Sequence, residues 1–114
     1  MSLYIVAKDV DGVTVLKLMG RVTLGDESGQ LRSTIKQNLT QGKKRLVLDL
    51  SEVNYIDSAG LGTLVAGYTS ARNEGGEIRL AGVTKRFGEL LNITKLVTIF
   101  NVHDSVENAV KSFG

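Results

Sequence analysis

Strand-like and helix-like segments alternate along most of the chain, and this alternation constrains the fold more than any other feature of the sequence. Short runs rich in Val, Ile and Leu, typical of strands, are separated by longer runs with apolar residues three or four positions apart, typical of helices. The predicted strands are residues 4–8, 13–19, 45–50, 77–81 and 97–100. The predicted helices begin near Asp26, Ser58, Thr84 and Asp104. The expected order is therefore β-β-α-β-α-β-α-β-α.

The connections between these segments predict the type of sheet. Asp11-Gly12 joins the first two strands and is a dipeptide typical of tight β-hairpin turns. Each later strand is followed by a helix, and such crossovers lead to a parallel neighbouring strand. We therefore expect an α/β fold with a mixed sheet of about five strands and about four helices, formed by residues 1–114 as a single domain. Residues 20–25 and 51–57 are expected to be connecting turns.

Glycine and polar residues mark the expected helix ends. Gly42 follows the first predicted helix, where a C-terminal cap is common. Gly75-Gly76 should end the second helix, predicted over residues 58–74. Asp104 and Glu107 have the spacing of a capping box and predict the start of the last helix.

The composition excludes several classes of site. The chain has no cysteine and one histidine, so we exclude a disulfide framework, a thiolate zinc centre and cysteine catalysis. Its 14 Lys and Arg and 12 Asp and Glu give a net charge of +2, too small an excess to indicate nucleic-acid binding. The apolar runs are too short to cross a membrane, and the N-terminus lacks the pattern of a signal peptide. We expect a cytoplasmic protein with no membrane or nucleic-acid partner.

Residues 53–62, Val-Asn-Tyr-Ile-Asp-Ser-Ala-Gly-Leu-Gly, form the one segment with a specific signal. They follow the third predicted strand, and binding sites of parallel sheets lie at the carboxyl ends of strands. Asp57 or Ser58 can cap the second helix by accepting hydrogen bonds from its first amides. Gly60 and Gly62 each cost about 0.5–1 kcal/mol relative to alanine in a helix. We therefore expect them to permit close approach by a neighbouring element or by another molecule.

Ser58 also lies where a phosphate would be well placed. The free amides and the dipole of a helix N-terminus stabilise an anion. A phosphate on Ser58 would change the local charge by about −1.5 to −2 and leave the fold intact. On spacing alone, however, a simple helix cap is the favoured interpretation.

The segment Asp-Ser-Ala-Gly-Leu-Gly of residues 57–62, preceded by the strand Leu-Val-Leu-Asp-Leu, resembles the signature of bacterial anti-sigma factor antagonists, the STAS-domain family. The resemblance covers nearly the whole chain, and the α/β fold with a mixed sheet that it implies agrees with the order of elements above. It also implies that Ser58 is phosphorylated, that Asp57 supports it, and that the first turn of the second helix docks a partner. The partner-binding residues implied in this way are Asp57, Ser58, Ala59, Gly60 and Leu61.

The resemblance further implies a partner switch. The unphosphorylated protein would bind an anti-sigma factor, often itself a serine kinase, and thereby release a sigma factor. Phosphorylation of Ser58 would abolish binding, and a serine phosphatase would restore it. ATP would be the kinase's substrate, so no cofactor is expected in this chain. The family often has an acidic residue near the position of Thr23, whereas the turn over residues 20–25 has none here and acids appear only just after it, at Asp26 and Glu27.

Two other functions remain as alternatives. The chain could be a STAS-like scaffold or a small-ligand-binding subunit that is not regulated by phosphorylation. An enzyme is disfavoured because Ile56 stands where a Gly-x-Ser-x-Gly elbow needs glycine before Ser58. A dinucleotide site is disfavoured because Val65 stands where its third glycine belongs. We expect a monomer, with a dimer through the exposed edge of the hairpin as the alternative.

Overall fold

The computed structural model describes residues 3–95 and 98–113. The strands are β1 (Leu3–Val10), β2 (Val13–Val22), β3 (Arg45–Ile56), β4 (Glu77–Ala81) and β5 (Asn101–His103). The helices are α1 (Asp26–Thr40), α2 (Ser58–Asn73), α3 (Lys85–Ile93) and α4 (Val106–Lys111). The element order follows the alternation seen in the sequence.

The strands form one mixed sheet in the order β1-β2-β3-β4-β5. β1 and β2 are antiparallel, and the remaining neighbours are parallel. The hairpin turn places Asp11 at φ 50° and Gly12 at φ 79°, both in the left-handed region that the tight hairpin turn requires. The expected α/β fold, with a mixed five-stranded sheet and four helices, is confirmed.

Alternate residues of the central strands bury their side chains on opposite faces of the sheet. Leu46, Leu48 and Leu50 of β3 join the larger core, to which α1, α2 and α3 contribute their apolar faces. Val47 points to the other face and joins the smaller core beneath α4, together with Val15 of β2. The first half of β3 is thus buried on both sides, which explains why residues 46–50 are all apolar except Asp49.

The parallel pair β2 and β3 extends further than the sequence predicted. Residues 20–22 and 51–56, expected to lie in turns, continue the two strands as far as the pair Val22 and Ile56. The pairing register shifts twice in this stretch, between Lys17 and Met19 and between Gly20 and Arg21, as it does at β-bulges. Because pairing between β3 and β4 stops at Asp49, the end of β3 projects beyond its neighbour and carries α2 with it.

The last strand and the last helix also differ from the prediction. The strand expected over residues 97–100 begins at a residue outside the described part of the chain, and residues 98–100 form a turn. Phe100 turns into the larger core and packs edge-on against Tyr68, with 5.4 Å between ring centroids. β5 follows it at Asn101–His103. α4 is capped by the Ser105 side chain, which accepts a hydrogen bond from the amide of Asn108, so the expected Asp104 cap is wrong.

Candidate functional site

The carboxyl ends of β2 and β3 converge at one point of the molecule. The amide of Asp57 donates a hydrogen bond to the carbonyl of Val22 at 3.3 Å, which continues the strand pairing by one residue. α2 begins directly afterwards at Ser58, and the loop from β2 to α1 passes alongside it. The projecting end of β3 therefore places the start of α2 at the edge of the sheet where the sequence predicted a site.

Asp57 is the N-cap residue of α2 and joins two segments of the chain. One carboxylate oxygen, Oδ1, accepts a hydrogen bond from the amide of Gly60 at 2.8 Å. The other, Oδ2, accepts one from the amide of Leu24 at 3.0 Å. These two hydrogen bonds hold the pKa of the Asp57 carboxyl below its ordinary value of 3.8. The bond from Gly60 has the largest effect, and the bond from Leu24 has the next largest. Asp57 therefore stays ionised at neutral pH and fixes the loop after β2 against the first turn of α2.

Ser58 is the first residue of α2, and its side chain is exposed. Among the side-chain hydrogen bonds of the described residues, none involves the Ser58 hydroxyl, because Asp57 supplies the cap. The first turn of α2 contains no acidic side chain. The hydroxyl therefore lies in solvent at the positive end of a 16-residue helix, where a modifying group would meet no internal structure.

Gly60 is required by a neighbouring strand. A Cβ atom at this position would lie 2.1 Å from the carbonyl oxygen of Val22 and 2.9 Å from Cγ1 of Ile56. The first of these contacts is with backbone that already takes part in strand pairing. The absence of a side chain at Gly60 thus lets α2 start directly against the ends of β2 and β3.

Gly62 is different, because a Cβ atom there would meet nothing within 4 Å. Its position on α2 is exposed, four residues after Ser58 and therefore on the same side of the helix. The packing of the described residues does not account for this glycine. Of the two explanations that the sequence left open, close approach of a neighbouring element applies to Gly60 alone.

The five predicted partner-binding residues do not all reach the surface. Ser58 is exposed, and Asp57 and Ala59 are partly buried. Gly60 is buried, and Leu61 is 6% exposed within the larger core. Sequence reasoning also missed Leu24, which is 77% exposed in the loop tied to Asp57. Its only signal in the sequence was an apolar residue in a predicted turn.

A cleft lies beside this surface, between the end of β3 and α3. Its volume is about 320 Å³, and it is lined by residues 53–56 of β3 and by α3 side chains that include Phe87, Leu90 and Ile93. Tyr55 at its rim is partly exposed, and the guanidinium of Arg21 lies 5.0 Å from the centre of its ring. Sequence reasoning missed this cleft because it depends on how far β3 projects beyond β4.

Neither a cluster of metal-ligating side chains nor a membrane-spanning helix occurs in the described part of the chain. Within residues 3–95 and 98–113, no three His, Cys, Asp or Glu side chains come together as a metal centre would need. No helix in the described part of the chain is long and apolar enough to cross a membrane.

Comparisons with known proteins agree on one family. The model of the STAS domain matches residues 4–109. The chain is 31% identical over 104 residues to BtrV of Bordetella bronchiseptica, named as a candidate anti-sigma factor antagonist, covering 91% of this chain and 89% of that protein. It is also 31% identical over 106 residues to the anti-sigma-B factor antagonist of Listeria monocytogenes, and the match covers 90% of this chain and 88% of that protein. A crystal structure of a candidate anti-sigma factor antagonist from Thermotoga maritima superposes with a TM-score of 0.82 at 25% sequence identity. The superposition covers 95% of this chain and 92% of that chain.

Proposed function

Because the chain belongs to the STAS domain family, among relatives named as anti-sigma factor antagonists, we propose that it binds an anti-sigma factor and is released by phosphorylation of Ser58. In this function the protein is cytoplasmic, acts by binding the anti-sigma factor and catalyses no reaction. The anti-sigma factor is itself the serine kinase that modifies Ser58, and a serine phosphatase reverses the modification.

The observation that carries this proposal is the free Ser58 hydroxyl at the start of α2. A kinase needs a hydroxyl that is exposed and not committed to a hydrogen bond, and the cap formed by Asp57 leaves Ser58 in that state. The helix dipole and the amides of the first turn stabilise the phosphate once it is formed. The modified protein therefore keeps its fold while its surface gains about −1.5 to −2 charges.

The added charge is sufficient to act as a switch. Reversing an equilibrium from 99:1 to 1:99 requires about 5.5 kcal/mol of differential affinity. A partner surface that fits a neutral hydroxyl would have to desolvate a dianion without an opposite charge to pair with it, which costs several kcal/mol. Beside Ser58, the exposed residues Leu24 and Gly62 are uncharged, and the ionised carboxylate of Asp57 would repel rather than pair with the added phosphate.

A comparison of three bait proteins tests the proposal in lysate of the native host. The baits are the wild-type protein, Ser58→Asp and Ser70→Asp, the last adding the same charge to an exposed serine near the other end of α2. We expect wild type and Ser70→Asp to retain a kinase-like protein that Ser58→Asp loses. The retained protein, once purified, should phosphorylate Ser58 with ATP. Equal retention by all three baits would contradict a switch at Ser58.

The cleft beside β3 supports a second candidate function, a STAS-like subunit that binds a small ligand without phosphorylation. Its volume of about 320 Å³ lies within the range of small-molecule sites. Intact-mass measurement of the protein isolated from its host separates the two functions. Persistent absence of a phosphorylated form across growth conditions, together with no retained kinase, would favour the ligand-binding subunit.

A further inference from the structure

The outer edge of β1 is left open by the sheet. Among the described strands, β1 pairs only with β2, from Leu3 opposite Gly20 to Val10 opposite Val13, without a register shift. Its other edge presents a row of backbone groups along an eight-residue strand. Natural edge strands are commonly protected by proline, by a bulge or by inward-pointing charges. β1 has no proline and no bulge, and its two charged residues, Lys8 and Asp9, lie together near the hairpin turn, so most of its edge is available for pairing.

Apolar side chains accompany this edge. Tyr4 is 62% exposed and Val6 is 54% exposed. They stand opposite Met19 and Lys17 of β2, on the face of the sheet that also carries α4. On this face α4 covers the end of the hairpin near Val10 and Val13 and leaves the end near Tyr4 uncovered. An edge with two large exposed apolar side chains is a favourable place for strand addition.

We propose that a second copy of this chain pairs along this edge, antiparallel to the first, about a two-fold axis at Val6. In a two-residue hairpin the residues flanking the turn form a hydrogen-bonded pair, and such pairs recur at every second residue. The hydrogen-bonding groups of Val10, Lys8, Val6 and Tyr4 therefore point towards β2. The backbone hydrogen-bonding groups of the odd-numbered residues, Leu3 to Asp9, point away from β2. The largest number of these groups can pair with the same groups of the second copy when Ile5 lies opposite Ala7 of that copy.

The side chains are complementary in this register. Val6 faces Val6 of the second copy, and Tyr4 faces Lys8 of the second copy on the same side of the sheet. Cross-strand apolar pairs and cation–aromatic pairs stabilise antiparallel strands, whereas like charges directly opposite would destabilise them. No like charges are opposed here, because Asp9 faces Leu3. This self-complementarity is the reason for assigning the edge to a second copy of the chain.

The pairing leaves the surface around Ser58 free. Ser58 follows β3 and begins a helix on the face of the larger core, whereas Tyr4 and Val6 lie on the opposite face two strands away. Dimerisation is therefore expected to be the same for wild type and Ser58→Asp. The inference stands or falls independently of the proposed phosphorylation.

Sedimentation velocity over a wide range of protein concentration provides the first test. We expect wild type to shift from monomer to dimer as the concentration rises, because an edge contact of this size gives a weak interface. Val6→Lys should remain monomeric, since it would oppose two lysines at the axis. Ile93→Lys is the matched control, because it replaces a 79% exposed apolar residue outside β1 and should dimerise like wild type. If Val6→Lys does not fold, Ile5→Pro replaces it, since the amide of Ile5 faces outwards and is not needed by β2.

Cysteine cross-linking tests the register. The chain contains no cysteine, so a single introduced thiol can link only to its counterpart in another copy. Residues at the two-fold axis are within reach of a disulfide, so Val6→Cys should cross-link rapidly under mild oxidation. Tyr4→Cys should cross-link slowly because it faces Lys8. Three results would each overturn the proposal. The wild-type protein could be monomeric at every concentration, Val6→Lys or Ile5→Pro could dimerise like wild type, or Val6→Cys and Tyr4→Cys could cross-link at equal rates.

Discussion

Replacing Gly60 by alanine should destabilise the protein because of one backbone contact. The new Cβ atom would lie 2.1 Å from the carbonyl oxygen of Val22, and roughly 1 Å of movement is needed to bring this contact to 3.0 Å. The carbonyl cannot move freely, since it accepts the hydrogen bond from Asp57 and belongs to the strand pair that ends at Ile56. Overpacking of this kind costs about 1–3 kcal/mol or more.

Part of this cost is offset by the better helix propensity of alanine, worth about 1 kcal/mol in a helix interior and less near its start. We expect a net loss of about 2 kcal/mol in the free energy of unfolding, which corresponds to a fall of roughly 8 °C in Tm for a domain of this size. Denaturant unfolding followed by circular dichroism measures the first quantity, and a thermal melt measures the second.

Gly62→Ala is the matched control two residues along the same helix. Its Cβ atom would meet nothing within 4 Å, so only the gain in helix propensity remains. We expect this variant to be more stable than wild type by about 0.5–1 kcal/mol. The two identical substitutions should therefore change stability in opposite directions. Equal unfolding free energies for Gly60→Ala and Gly62→Ala would refute the close contact between α2 and β2.

Three further predictions concern the cap, the modification site and the core. The contribution of the Asp57 carboxylate to stability should be complete above pH 3.8 and should be lost as the pH falls through the lower pKa of the folded state. Acid unfolding of the wild-type protein and of Asp57→Asn measures this contribution, because the variant should lack it. Ser58→Asp should leave the unfolding free energy within about 0.5 kcal/mol of wild type, as measured in urea, because the exposed hydroxyl makes no internal bond. Leu48→Ala should cost about 2–5 kcal/mol in the same assay, because this fully buried side chain lies at the centre of the larger core.

The start of α2, which carries the candidate site, could be located from the sequence because its signals are local. Asp57 and Ser58 stand at a strand-to-helix boundary, and a short polar side chain at that boundary caps the helix whatever the rest of the chain does. The role of Gly60 was only half determined, since the sequence showed an unfavourable helix residue and could not identify its neighbour. Val22, which lies 38 positions earlier, was predicted to be in a turn and proved to be that neighbour.

The sequence by itself determined the order of strands and helices, the hairpin, the buried character of β3 and the position of the cap, because each depends on residues within about one turn or strand of one another. The tertiary structure alone decided how far β2 and β3 run, where β5 begins and which of the predicted partner-binding residues reach the surface. It also created the cleft beside β3 and left the edge of β1 open. These features depend on pairing and packing between distant segments, and a strand continues for as long as its neighbour can satisfy its backbone hydrogen bonds.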